Sequence, residues 1–170
     1  IGYKQTISQP YIVAKMTEHL ISHTTKRGKI FNRVLEIGSG CGYQSAVLSY
    51  FSNDIFAVER IKPLVIRSRE NLQELQIRNV MVKHADGFNG WEGDLKFDGI
   101  ICAAAPRQYP EELLDLLEIN GKLVIPVGLD GQQKLFVITK KSKLEHEEVI
   151  YEDVAFVPML PGISNGDTRT

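Results

Sequence analysis

The sequence predicts an α/β fold: a doubly wound, mostly parallel sheet of seven strands with an antiparallel strand at one edge. Three observations carry this. Short apolar runs alternate with amphipathic stretches along most of the chain. The first apolar run opens directly onto a glycine-rich loop and a helix. The last two apolar runs follow each other with no helix between them.

From Gln9 to Ser22, apolar Ile12, Val13, Met16 and Leu20 recur at helical spacing, and Pro10 falls in the first turn, where no N–H is needed. A basic connector leads to a strand over Arg33 to Ile37, then the glycine loop, then a helix over Tyr43 to Phe51. Asp54 to Val58 is a second strand closed by Glu59-Arg60, and Ile61, Leu64, Val65, Leu72 and Leu75 mark one face of the next helix. Val80 to His84 is the third strand, ending in Ala85-Asp86-Gly87. A Gly- and Asn-rich loop with Trp91 precedes the fourth, Phe97 to Ala103. Pro110 to Leu117 reads as a short helix and Gly121 to Val127 as the fifth strand. Gln133 to Lys140 and Glu147 to Val157 complete the set. Residues 1–160 form one domain and 161–170 a loose polar tail. Right-handed crossovers place ligands outside the carboxyl ends of the strands, beside strand one.

Four elements converge there. The first is Glu36-Ile37-Gly38-Ser39-Gly40-Cys41-Gly42-Tyr43-Gln44, a strand acid followed by alternate glycines and a helix start. Such a turn lets a ligand approach the backbone, and the helix start offers free N–H groups. The Gly-x-Gly-x-Gly spacing departs from the Gly-x-Gly-x-x-Gly of dinucleotide sites and points to S-adenosyl-L-methionine. The second is Glu59, whose carboxylate can accept from both ribose hydroxyls; an acid at a strand end can also be a simple solvated cap. The third is Asp86-Gly87, an adenine-pocket candidate or an ordinary Asp-Gly turn. The fourth is Cys102-Ala103-Ala104-Ala105-Pro106, at the methyl-acceptor position. It carries no side chain that could take a proton from an amine, whereas a carboxylate acceptor is already ionised at neutral pH and needs no base.

The 170 residues carry a net charge of −1, with 43% hydrophobic and 24% charged residues, which argues against a dedicated nucleic-acid binder. The basic runs Lys26-Arg27-Gly28-Lys29 and Lys140-Lys141-Ser142-Lys143 read as solvated turns. Cys41 and Cys102 form no metal-ligand or disulfide pattern, which fits a cytoplasmic protein, and the histidines share no spacing, so no metal is expected. No apolar run is long enough to span a membrane, and a monomer is expected.

Gly2-x-x-x-Thr6-Ile7-Ser8-Gln9-Pro10-x-Ile12-Val13-Ala14, the glycine loop, Val58-Glu59-Arg60-Ile61, Asp86-Gly87, Gly121 to Gly128 and Phe156-Val157-Pro158 together resemble the protein-L-isoaspartate (D-aspartate) O-methyltransferase family. The likeness runs from residue 2 to about 160. The nucleotide motifs are common to many enzymes using this cofactor; the Thr-Ile-Ser-Gln-Pro run and the Phe-Val-Pro ending single out the family. The resemblance implies the class I methyltransferase sheet and transfer of a methyl group from S-adenosyl-L-methionine, leaving S-adenosyl-L-homocysteine. The acceptor would be the free carboxylate of L-isoaspartyl or D-aspartyl residues in damaged peptides and proteins, which begins their repair. It implies Ser8 as the active-site serine, with Thr6 and Ile7 beside the substrate. It places Glu36, Gly38, Ser39, Gly40, Gly42, Gln44, Glu59, Arg60, Asp86 and Gly87 about the cofactor. It also implies a further segment ahead of Ile1 that helps cover the cofactor; the connector Thr24 to Asn32 departs from the family pattern by being slightly longer, which reads as a surface insertion. Taken alone, Ser8 reads equally as the N-cap of the helix that follows. Competing readings are a methylase of RNA or a small molecule, a domain that binds cofactor without turnover and, last because of its glycine spacing, a nicotinamide dehydrogenase.

Overall fold

The computed structural model describes residues 1–22 and 28–166. The elements run α1 (Pro10–Ile21), β1 (Phe31–Ile37), α2 (Tyr43–Leu48), β2 (Ser52–Glu59), α3 (Lys62–Glu74), β3 (Val80–His84), a 3₁₀ turn (Gly87–Asn89), β4 (Phe97–Cys102), α4 (Glu111–Asp115), β5 (Leu117–Val127), β6 (Gln133–Lys140) and β7 (His146–Val154). The strands form one seven-stranded sheet in the order β3-β2-β1-β4-β5-β6-β7. Pairs from β3 to β5 are parallel, and β5–β6 and β6–β7 are antiparallel. This is the expected mostly parallel sheet with an antiparallel edge. β6, one strand in from that edge, runs against the other six. The chain order reverses between β1 and β4, which creates the crevice beside the glycine loop.

Alternation along the strands covers both faces. Leu35 and Ile37 join Phe97, Leu113 and Leu123 on the α4 side, whereas Val34 packs with Ile55, Met16 and Leu20 of α1, and Leu48 of α2. Ala57, on the same face as Ile55, meets Val65 and Leu72 of α3. Burial of both faces explains why the central strands read as continuous apolar runs.

Most element boundaries move by one to four residues from the sequence reading, and three differences matter most. β5 begins at Leu117, because Leu117 pairs with Phe97 before a register shift carries the strand past Asn120, whose φ is +66°. β7 stops at Val154. Beyond it, Ala105 N–H donates to Val157 O and Met159 N–H donates to Ala105 O, each at 2.8 Å, so the Phe156-Val157-Pro158 run lies along the loop after β4. The expected loose tail is pinned over residues 161–166: Ser164 N–H donates to Arg60 O at 2.6 Å and Lys62 N–H to Ser164 O at 2.9 Å. His23 to Arg27, with the basic pair Lys26-Arg27 and the start of the connector, and residues 167–170 lie outside the described residues.

Candidate active site

The carboxyl ends of β1, β2 and β4 open into a narrow cleft of about 90 Å³. It is lined by the glycine loop with Glu36, by Val58 and Glu59, and by the segment Gln5 to Ser8 with Val157 to Leu160. Parallel pairing produces this convergence directly. Gly38 N–H donates to Val58 O and Ala103 N–H donates to Ile37 O, both at 2.8 Å, so the three strand ends are laced together where the loop begins.

Glu59 organises the loop. Its Oε2 accepts from Gly40 N–H at 3.0 Å and its Oε1 from Ile61 N–H at 2.9 Å, with the residue 6% exposed. Each carboxylate oxygen keeps a second lone pair for another donor. Glu36 is fully buried, and Ser45 Oγ donates to its Oε2. Burial pushes the Glu36 carboxyl up to about 8; the Ser45 hydrogen bond opposes the rise and the Glu59 charge adds to it.

Glu36 Oε1 and Ser39 Oγ are buried with no hydrogen-bond partner among the described residues, and both residues line the cleft. Buried polar atoms are rarely left unpaired. Two such atoms above a second buried acid suit a ligand that brings cationic or hydroxyl donors. S-adenosyl-L-methionine, with its ammonium, sulfonium and ribose hydroxyls, has that character, so the residues present fit it.

The structure brings Thr6, Ile7, Ser8, Glu36, Gly38, Ser39, Gly40, Gln44, Glu59, Arg60 and Gly87 to one cleft. Gly42 and Asp86 are not among its lining residues. Gly42 sits under the start of α2, where an added Cβ would meet Ser68 Oγ at 2.9 Å. Asp86 accepts from Phe88 N–H at 2.9 Å, a local turn, and from Gly162 N–H at 2.6 Å, both backbone groups. Ser8 does not cap α1. The N-cap position is Gln9, without a side-chain cap, and among the described residues no hydrogen bond of the Ser8 hydroxyl is found. Ser8 also borders a second cleft lined by Gln133, Ala155 and Phe156, so the residue is common to the two. The sequence reading did not assign Val157 to Leu160 to the site individually. Their place depends on the Ala105–Pro158 bridge across more than fifty residues, for which local periodicity holds no signal.

A sequence model described as protein-L-isoaspartate(D-aspartate) O-methyltransferase (PCMT) matches residues 1–163. A protein-L-isoaspartate O-methyltransferase 1 of Marinobacter nauticus is 49% identical over 163 residues, covering 96% of this chain and 71% of its own length. A protein-L-isoaspartate O-methyltransferase of Methylobacillus flagellatus is 48% identical, covering 95% of this chain and 71% of its own. A crystal structure from Plasmodium falciparum, described as a protein-L-isoaspartate O-methyltransferase in complex with S-adenosyl-L-homocysteine, superposes with a TM-score of 0.75 at 33% identity, covering 94% of this chain and 78% of that one. Precorrin-6y C5,15-methyltransferase of Geobacter metallireducens, at 19% identity and a TM-score of 0.60 over 74% of this chain and 66% of its own, shares the fold alone. The chain therefore belongs to the protein-L-isoaspartate(D-aspartate) O-methyltransferase family.

Proposed function

We infer that this chain methylates the free carboxylate of L-isoaspartyl or D-aspartyl residues in proteins, with S-adenosyl-L-methionine as donor. The observation that carries the reading is one cleft that joins a donor loop organised by Glu59 to the Thr6-Ile7-Ser8 wall. When bound, the cofactor supplies an electrophilic methyl: a carboxylate oxygen forms the new O–CH₃ bond while the S–CH₃ pair returns to sulfur, giving S-adenosyl-L-homocysteine.

The protein's share is placement. Glu59 holds Gly40 and keeps free lone pairs toward the ribose; Gly38, Ser39, Gly40, Gln44, Arg60 and Gly87 line the donor side, with Glu36 beneath them. Gly42 and Asp86 act from behind the lining, Gly42 by seating α2 and Asp86 by tying the turn after β3 to Gly162. The hydroxyl of Ser8 orients the acceptor carboxylate, with Thr6 and Ile7 beside the peptide. Ala103 and Ala104 face the cleft without an acid or base, and an acceptor already ionised at neutral pH requires neither. Alignment of two bound reactants can supply about 7–11 kcal/mol of a barrier, which suits a site with no proton shuttle.

The same proposal has the chain act as a monomer in the cytoplasm, independent of nucleic acid and membranes. Unpaired Cys41 and Cys102 and the net charge of −1 support it, and no described helix is long and apolar enough to cross a membrane. The test is incubation with an isoaspartyl peptide and methyl-labelled cofactor, using the matching aspartyl peptide and an RNA as controls. Label on the isoaspartyl peptide alone is the expected result. Label on RNA, or cofactor binding without transfer, would overturn the reading.

A further inference from the structure

Gln44 lines the cleft one residue into α2, and its Nε2 donates to Oγ1 of Thr17 in α1 at 2.9 Å. The Thr17 hydroxyl in turn donates to Val13 O at 2.8 Å. Both side chains are buried, and among the described residues this is the one side-chain hydrogen bond that joins α1 to α2. A hydroxyl has a single proton. With that proton on Val13 O, Oγ1 can only accept from Gln44, so the amide must turn its NH₂ toward Thr17 and leaves Oε1 for the cleft. Loss of the hydroxyl would free the amide to turn over and would untie the two helices.

The helices carry different parts of the cleft lining. α1 follows the Thr6–Ser8 segment and contributes Val13 to the cleft; α2 follows the glycine loop. We propose that Thr17 is a positioning residue for methyl transfer, setting through Gln44 the spacing and angle between the acceptor wall and the donor loop. The proposal rests on the transfer reaction inferred above. Docking of α1 onto the sheet does not depend on Thr17. Met16 and Leu20 are buried in the core, and Lys122 Nζ donates to Ser22 O at 3.0 Å at the far end of the helix. Removing the hydroxyl therefore acts on alignment more than on folding.

The test compares wild type, Thr17→Val, Thr17→Ser, Gln44→Leu and the Thr17→Val/Gln44→Leu double variant with isoaspartyl peptide and labelled cofactor. Misplacement of reactants by about 1 Å can cost about a hundredfold. T17V is expected to lower kcat about tenfold or more, with KM for the peptide within about threefold. T17S restores kcat, and T17V has no further effect in the Q44L background. Thr17→Ala repeats the measurement without the extra methyl if valine overpacks the site. Wild-type kcat in T17V and T17A, failure of T17S to restore it, or an undiminished T17V effect beside Q44L would overturn the proposal. No transfer by wild type would overturn the reaction and the proposal together; transfer by wild type with T17V unchanged overturns the proposal alone.

Discussion

Gly40 N–H donates to Glu59 Oε2 at 3.0 Å, so the acid at the end of β2 grips the loop that follows β1. The other carboxylate oxygen holds Ile61 N–H at 2.9 Å, at the entry to α3. One side chain thereby fixes the glycine loop against the next crossover. Glu59→Gln breaks this symmetry, because its NH₂ must face one of the two N–H donors. A hydrogen bond to a charged group contributes about 1.5–3 kcal/mol, and about 1.4 kcal/mol is tenfold in affinity. E59Q is expected to weaken S-adenosyl-L-homocysteine binding at least about tenfold by calorimetry while the circular dichroism spectrum stays native. Unaltered affinity would show that Glu59 is only a structural clasp.

Because the helix cap is Gln9, Ser8 has no part in holding α1 together. Ser8→Ala should leave Tm within about 2 °C, the range of a substitution that removes no packing or cap. It should reduce kcat on an isoaspartyl peptide by about tenfold to a hundredfold through lost alignment. Cofactor affinity should hold. A variant with full turnover would remove Ser8 from the site.

The order of elements was legible because burial on both faces writes each central strand as an apolar run, and because helical spacing survives in α1 and α3. That Gly38, Gly40 and Glu59 meet at one cleft was legible for a related reason: they sit at or just after the ends of adjacent strands, where the residue types themselves mark the strand-to-helix turns. The acceptor side was less so. Met159 reaches the cleft through a two-bond ladder with Ala105, and residues 161–166 are pinned by Arg60 and Asp86. Apart from the Asp86 carboxylate, these are backbone contacts between distant segments, and backbone hydrogen bonds leave little imprint on residue type. Asp86 is the instructive case. Its Asp-Gly signature fits a ligand site and a turn equally; the Phe88 N–H at 2.9 Å displays a local turn, and the Gly162 N–H at 2.6 Å is a contact with a distant segment. Thr17 carried no signal at all, since a threonine on the buried face of a helix normally back-bonds to its own carbonyls.

Two glycines of the loop separate folding from binding. Gly38 and Gly42 have φ of +83° and +88°, so alanine is strained at either by about 1–2 kcal/mol. At Gly38 the nearest atom to an added Cβ is Ala103 Cβ, 3.8 Å away. At Gly42 the new methyl meets Ser68 Oγ at 2.9 Å and Leu72 Cγ at 3.4 Å, both on α3. G42A is expected to lose about a further 1–3 kcal/mol by overpacking, read as a lower urea midpoint than that of G38A. G38A, whose site lines the cleft, is expected to be the weaker binder of S-adenosyl-L-homocysteine. The reverse ranking in either measurement would contradict this division.

Glu36 sets a pH dependence that can be read in the ligand-free protein. Burial raises its carboxyl from 4.5 to about 8, so in this window the folded chain holds a proton that the unfolded chain has released. Stability therefore falls as pH rises: the unfolded state binds fewer protons, which makes the slope of unfolding free energy with pH negative. The loss begins near 4.5, accumulates to about 8 and levels off above it, where both states are ionised. Glu36→Gln keeps an acceptor for Ser45 and abolishes the titration. Tm measured from pH 5 to pH 8 in a common buffer series should decline less steeply in E36Q than in wild type, and the two curves should diverge most at the alkaline end. Parallel curves would mean that Glu36 does not change its charge on unfolding. An ammonium group in the cleft would favour the ionised carboxyl, so saturating S-adenosyl-L-homocysteine, through its ammonium, should flatten the wild-type decline toward that of E36Q.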